Sequence, residues 1–149
     1  MGRLALLAQL ATTLPLVGLI WMVQVVVYPQ LARVGPAEFL AYHAAHTRLI
    51  TPVVGPLMVG ELLAAVAFLA APTTGTPPWL PAIGLGLVAA CWGTTVFLSV
   101  PQHELLGRGF QAAAWGRLTA TNWVRTVAWT VRGALLLWLV ARSLARTEG

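Results

Sequence analysis

The feature that most constrains this chain is a set of four long, sparsely charged apolar runs. Residues 4–28, 47–71, 79–100 and 118–141 each supply the about 20 mainly apolar residues needed to cross roughly 30 Å of hydrocarbon. Lipid offers no partner to an exposed peptide group, so runs of this length are satisfied as helices. Only 9% of residues are charged and 58% are hydrophobic, whereas soluble domains carry about a quarter charged residues. With 149 residues, the chain has room for four spans and short connections, and none for a soluble catalytic domain. The expected fold is therefore all-α: a single transmembrane domain over residues 1–149, built as an integral four-helix bundle and placed as a multi-pass protein in the cell membrane.

Several alternatives fall away. The first run follows Arg3 but is too long for a signal-peptide core and lacks a small-residue cleavage site, so it is read as a span. The net charge of +5 rests on nine basic residues, all arginine and scattered between apolar segments. That pattern fits anchoring to lipid headgroups, not a nucleic-acid surface. The lone Cys91 excludes an intramolecular disulfide and every multi-cysteine metal motif, and is read as packing. Phosphate-binding glycine loops, nucleophile elbows and glycosidase-type carboxylate pairs are absent from the sequence.

Pro52 and Pro56 are expected to kink the second span. Residues 72–78 (PTTGTPP) form a tight hairpin. The two longer connections, 29–46 and 101–117, hold most remaining polar residues and emerge on one membrane face. Arg3, Arg142 and Arg146 lie at the opposite, terminal face, against Arg33, Arg48, Arg108 and Arg117. The balance of positive charge leaves sidedness open. Of seven tryptophans, Trp79 and Trp115 suit the interface, while the deeper ones pack or face a ligand. A faint duplication aligns Pro29-Gln30 with Pro101-Gln102, Phe39 with Phe110, Thr51 with Asn122 and Glu61 with Arg132. It implies two hairpins related by a pseudo-twofold axis along the membrane normal.

The polar residues define the candidate site. His43 and His46 stand three apart, on one side of a helix, and His103 comes from the other long connection. Three imidazoles at one face form a candidate site for a transition metal or a histidine-ligated haem; the alternative is that they cap helices and bind water. Glu61 lies within the second span, where an unpaired ionisable group costs at least about 2.5 kcal/mol. Asn122, Arg125, Trp129 and Arg132 recur on one face of the fourth span. His43, His46, Ile50, Val54, Leu57 and Glu61 share a phase on the second. Glu61 and Arg132 are expected to pair near the bundle axis. One glutamate cannot neutralise two arginines, so Arg125 requires Glu104 or an anionic or oxygen-rich ligand. With Tyr42 and Asn122 it is expected to line a pocket for a carboxylate, haem propionate, quinone oxygen or lipid headgroup. Gly86, Ala90 and Gly93 on the third span, and Gly60 with Ala64 on the second, permit close helix contact.

The segments YPQ, FLAYHAAHTRLI, VPQHELLGRGF and TNWVRTVAWTVRG resemble a group of small bacterial four-helix membrane proteins, which is distantly similar to the anthrone-oxygenase-like membrane family. The resemblance extends over most of the chain and implies a four-helix bundle. For some members it implies cofactor-free or metal-assisted oxidation of a hydrophobic aromatic substrate. It carries no catalytic residue over to a position here. Two function classes remain: a redox or oxygenase-type enzyme acting on a lipophilic small molecule, or a non-catalytic membrane component, such as a small transporter or an assembly partner, whose charges are structural.

Overall fold

The computed structural model describes residues 2–145; Arg146, counted above at the terminal face, lies outside the described residues. Four helices, α1 (Gly2–Leu31), α2 (Pro36–Ala70), α3 (Trp79–Leu106) and α4 (Ala112–Ala145), are each long and apolar enough to cross a membrane. No strand occurs among the described residues. Each helix lies beside its neighbour in sequence and α4 closes against α1. The chain is thus a multi-pass integral membrane protein with an all-α, four-helix fold.

The helices outrun the apolar stretches that announced them. At 1.5 Å per residue, the 28 to 35 residues of each helix measure about 42–52 Å, against roughly 30 Å of hydrocarbon. The expected connections at 29–46 and 101–117 shrink to residues 32–35 and 107–111, and the histidines sit on helices. Two local devices account for this. Pro29 and Pro101 do not end their helices, because a π-helical turn precedes each, at Val23–Val27 and Thr94–Ser99. Proline lacks a donor and its ring collides with the carbonyl four residues back. The widened turns bond Tyr28 N–H to the Val23 carbonyl and Val100 N–H to the Thr95 carbonyl, which relieves both problems. The second device is the start of α2, where Pro36 occupies the first turn and Glu38 places negative charge at the helix N-terminus. From there α2 runs unbroken through Pro52 and Pro56.

The turn between α2 and α3 closes as the sequence indicated. Thr76 N–H donates to the Thr73 carbonyl at 3.0 Å and the two threonine hydroxyls meet at 2.8 Å. Gly75 adopts φ +76°, a conformation costly for any residue with a Cβ.

Apolar and polar layers alternate along the bundle. Ala5, Leu6, Phe68, Leu80, Leu136 and Leu139 pack at the terminal end. Leu16, Ile20, Met58, Cys91, Ala128 and Trp129 fill the middle. Tyr28, Leu31, Phe39, Leu106 and Leu118 close the histidine end. Between these layers sit two buried polar clusters, both anchored on α4, the least apolar and most buried of the four helices. Phe39 and Phe110 meet edge to face with centroids 5.2 Å apart. Gly60 brings α2 close to α1, since a Cβ there would stand 3.1 Å from Thr12 Cγ2, whereas Gly86 and Gly93 face open space.

Candidate functional site

The deeper cluster is centred on Glu61, which is fully buried. Its Oε1 accepts from Arg132 Nε at 2.8 Å and from Thr13 Oγ1 at 2.7 Å; its Oε2 accepts from Trp129 Nε1 at 2.9 Å. Arg132, 1% exposed, donates further to the Gly84 carbonyl and to Gln9 Oε1, each at 2.8 Å. The expected ion pair is present, reaching across the bundle between two helices that run in the same direction. Its remaining polar contacts come from Thr13 and Gln9 of α1, Trp129 of α4 and the Gly84 carbonyl of α3. The glycine at position 84 gives the guanidinium room: a Cβ would lie 2.9 Å from Arg132 Nη1 and would make it shift.

The second cluster lies nearer the histidine face, with Arg125 at its hub. Arg125 Nη1 donates to Thr95 Oγ1 at 3.2 Å, and Nη2 to Tyr28 Oη at 3.3 Å and to Asn122 Oδ1. Asn122 Nδ2 passes on to Gln24 Oε1 at 2.7 Å, and Gln24 Nε2 to the Thr119 carbonyl at 3.3 Å. All of these acceptors are neutral. The Glu61–Arg132 contact is the only ion pair among the described residues. Glu104, the other carboxylate considered for Arg125, is exposed at the rim. Arg125 is 7% exposed and its Nε is buried without a partner.

From Tyr28 a chain of contacts leads to the face. Tyr28 Oη lies 3.4 Å from His103 Nε2, and His103 Nδ1 lies 3.1 Å from His43 Nε2. A guanidinium only donates, so Tyr28 oxygen receives from Arg125 and is free to give its own proton to His103 Nε2. With the His103 proton on Nδ1, its Nε2 accepts from Tyr28 and its Nδ1 donates to His43 Nε2, and the chain then runs from Arg125 to Tyr28 to His103 to His43. His46 stacks on His103 with centroids 5.9 Å apart, and Phe39 stacks on His43 at 5.8 Å.

The three histidines expected to gather do so around His103, which bonds His43 through facing nitrogens and stacks on His46. No group of three or more His, Cys, Asp or Glu side chains is arranged to hold a metal ion among the described residues.

These side chains line one end of a cavity of about 760 Å³, within the size range of small-molecule sites. Its walls are mainly apolar: Leu19, Ile20 and Val23 of α1, and Ile50, Val54 and Met58 of α2. Trp92 and Trp129 also line it, and Trp92 Nε1 is a second buried donor without a partner. The mouth opens between α2 and α3, where Leu40, Ala44 and Thr51 face Val100 and Glu104, all exposed. It opens there because α2 packs on α3 along Trp79–Gly93, while the later turns of α3 pack chiefly on α4.

Of the residues singled out from sequence, His43, His46, His103 and Arg125 meet at this cavity. Asn122 supports Arg125 from behind. Glu61 and Arg132 form the deeper pair, joined to the cavity wall through Trp129. Tyr42 is exposed and outside the cavity wall. Sequence reasoning missed Gln9, Thr13, Gln24 and Tyr28, all buried on α1. A signal existed: Gln9, Thr13, Leu16, Ile20 and Val23 recur at alternating intervals of three and four, a single helical stripe. Compared with protein-family models, curated proteins and solved structures, the chain matches none.

Proposed function

We propose that the cavity binds a lipophilic small molecule drawn from the cell membrane, and that the protein acts on it as an oxygenase-type enzyme whose first step is proton removal. The observation that carries this reading is an apolar cavity lined by a continuous Tyr28–His103–His43 chain of polar contacts. In this scheme Tyr28 oxygen takes a proton from the bound molecule while its own proton passes to His103 Nε2. His103 Nδ1 then releases a proton to His43 Nε2 at the membrane face. The resulting carbanion or phenolate lies beside Arg125. Dioxygen is the oxidant: the carbanion adds to it to form a peroxide anion, which takes a proton back through the same chain, and loss of water from the hydroperoxide leaves a ketone. The scheme is one form of the cofactor-free oxidation of a hydrophobic aromatic substrate that the resemblance to anthrone-oxygenase-like proteins implies for some members, and it uses no group that the chain does not supply except dioxygen. A bound transition metal at the histidines is a variant of the same proposal, and it requires the rings to turn away from one another.

Exchange of the benzylic protons of anthrone for deuterium, monitored by NMR with the protein in nanodiscs, tests the first step without requiring turnover. General-base catalysis contributes about 10²–10⁴-fold. We expect acceleration in that range, lost in Tyr28→Phe and in His103→Gln. Gly55→Phe should block it by filling the cavity, because Gly55 lines the wall with nothing within 4 Å of its Cβ position. Exchange at the protein-free rate refutes the enzymatic reading. It favours the second one, a non-catalytic membrane component, which the internally satisfied Glu61–Arg132 cluster supports.

A further inference from the structure

We infer that the occupant of this cavity is a lipophilic monoanion, held by Arg125 as its counter-ion. This inference rests on the ligand-binding reading above and narrows it to a charge class. Arg125 is 93% buried, being 7% exposed, and it borders the cavity. No carboxylate accompanies it, since the only ion pair among the described residues belongs to Arg132. Thr95, Tyr28 and Asn122 supply neutral acceptors alone. An isolated charge withdrawn from water is costly unless an opposite charge accompanies it.

The orphaned atoms point the same way. Arg125 Nε and Trp92 Nε1 are buried donors without partners, and both residues line the cavity. The other buried atoms left unpaired, Gln9 Nε2, Ser99 Oγ and Gln102 Oε1, belong to residues that do not line it. The cavity thus offers donors and a positive charge to whatever enters, and its acceptor-rich exit is already occupied by the Tyr28–His103–His43 chain. Glu104 at the exposed rim disfavours a second negative charge on the occupant. A carboxylate, phenolate or enolate on an apolar body meets these conditions. A cation does not, and a neutral lipophile meets them only once it has lost a proton to the Tyr28–His103–His43 chain.

Anthracene-9-carboxylate and its methyl ester provide a matched pair of probes. Both accept excitation from tryptophan, and Trp92 and Trp129 line the cavity. With the intact protein in nanodiscs of zwitterionic lipid, affinities are referred to each compound's partition into empty discs. A hydrogen bond to a charged group contributes about 1.5–3 kcal/mol, which is roughly 10- to 150-fold, so we expect the carboxylate to bind at least tenfold more tightly than the ester. Arg125→Gln should abolish that preference and Arg125→Lys should retain much of it. If Arg125→Gln does not fold, the comparison in the unmodified protein still decides. Equal binding of the two probes overturns the monoanion inference while leaving the cavity a ligand site. Binding of neither probe overturns both. Including phosphatidylglycerol in the discs separates two sources of the same chemistry: displacement of the carboxylate identifies a membrane-lipid headgroup, and persistence identifies a free lipophilic acid.

Discussion

Replacing Glu61 by Gln converts the buried pair into a lone guanidinium. The carboxylate is fully buried and accepts from Arg132, Thr13 and Trp129. The amide that replaces it keeps one acceptor oxygen and turns an NH2 group toward donors. Arg132 keeps the Gly84 carbonyl and Gln9, but loses its only counter-charge. Breaking one partner of a buried pair costs about 3–5 kcal/mol. At about 2–4 °C per kcal/mol for a chain near this size, the midpoint of thermal unfolding in detergent should fall by roughly 6–20 °C. Arg132→Gln should lose a similar amount, because it strands the carboxylate. The double variant removes both charges and retains amides able to reach Thr13, Trp129 and the Gly84 carbonyl, so it should be more stable than either single variant. That outcome corresponds to a coupling of at least about 3 kcal/mol, at or above the upper end for residues in contact. Losses that simply add would refute the reasoning, since they mean the two side chains stabilise the bundle independently.

Three further outcomes are expected. Gly84→Ala should destabilise by about 1 kcal/mol, the net value of one hydrogen bond, because its Cβ displaces Arg132 Nη1. Gly86→Ala meets open space and should be neutral or stabilising by about 0.5–1 kcal/mol; parallel thermal melts check the difference in sign. Asn122→Leu leaves Gln24 Oε1 and one Arg125 donor without partners, at a cost of about 1–3 kcal/mol, and adding Gln24→Leu should return part of it. Reporter fusions at Gly75 and at the C-terminus should report the same compartment, as four spans require; opposite compartments contradict the fold.

How much of this was legible in the sequence depended on whether a residue's signal was local. Glu61 announced itself because a carboxylate within an apolar run needs a reason to be there. Asn122, Arg125, Trp129 and Arg132 announced their buried face through spacing alone. Glu61 and Arg132 also proved to pair at the depth that counting from Pro29 and Pro101 implied. The helix ends were misjudged for a physical reason. Proline and polar residues read as breaks, yet the π-helical turns absorb Pro29 and Pro101, and helices longer than the bilayer carry polar turns beyond it. Tyr28 was hidden by the same effect, because the proline after it marked the end of the span and left it at the rim. The carbonyl of Gly84 and the hydroxyl of Thr95 gave no sign at all, since their role depends on where a neighbouring helix places an arginine.

The mouth between α2 and α3 reaches down to Thr51 and Gly55, close to the midpoint of α2. If the cavity takes the lipophilic ligand proposed above, a molecule entering there would come sideways out of the acyl chains without crossing the aqueous phase. The concentration that fills the site is then its mole fraction in the bilayer, not its molarity in buffer. Diluting proteoliposomes with buffer should leave occupancy by a strongly partitioning ligand nearly unchanged, whereas adding empty vesicles that exchange lipid with them should lower it. Half-saturation for such a protein is a property of the membrane's composition, and two preparations agree only when compared at equal ligand-to-lipid ratio.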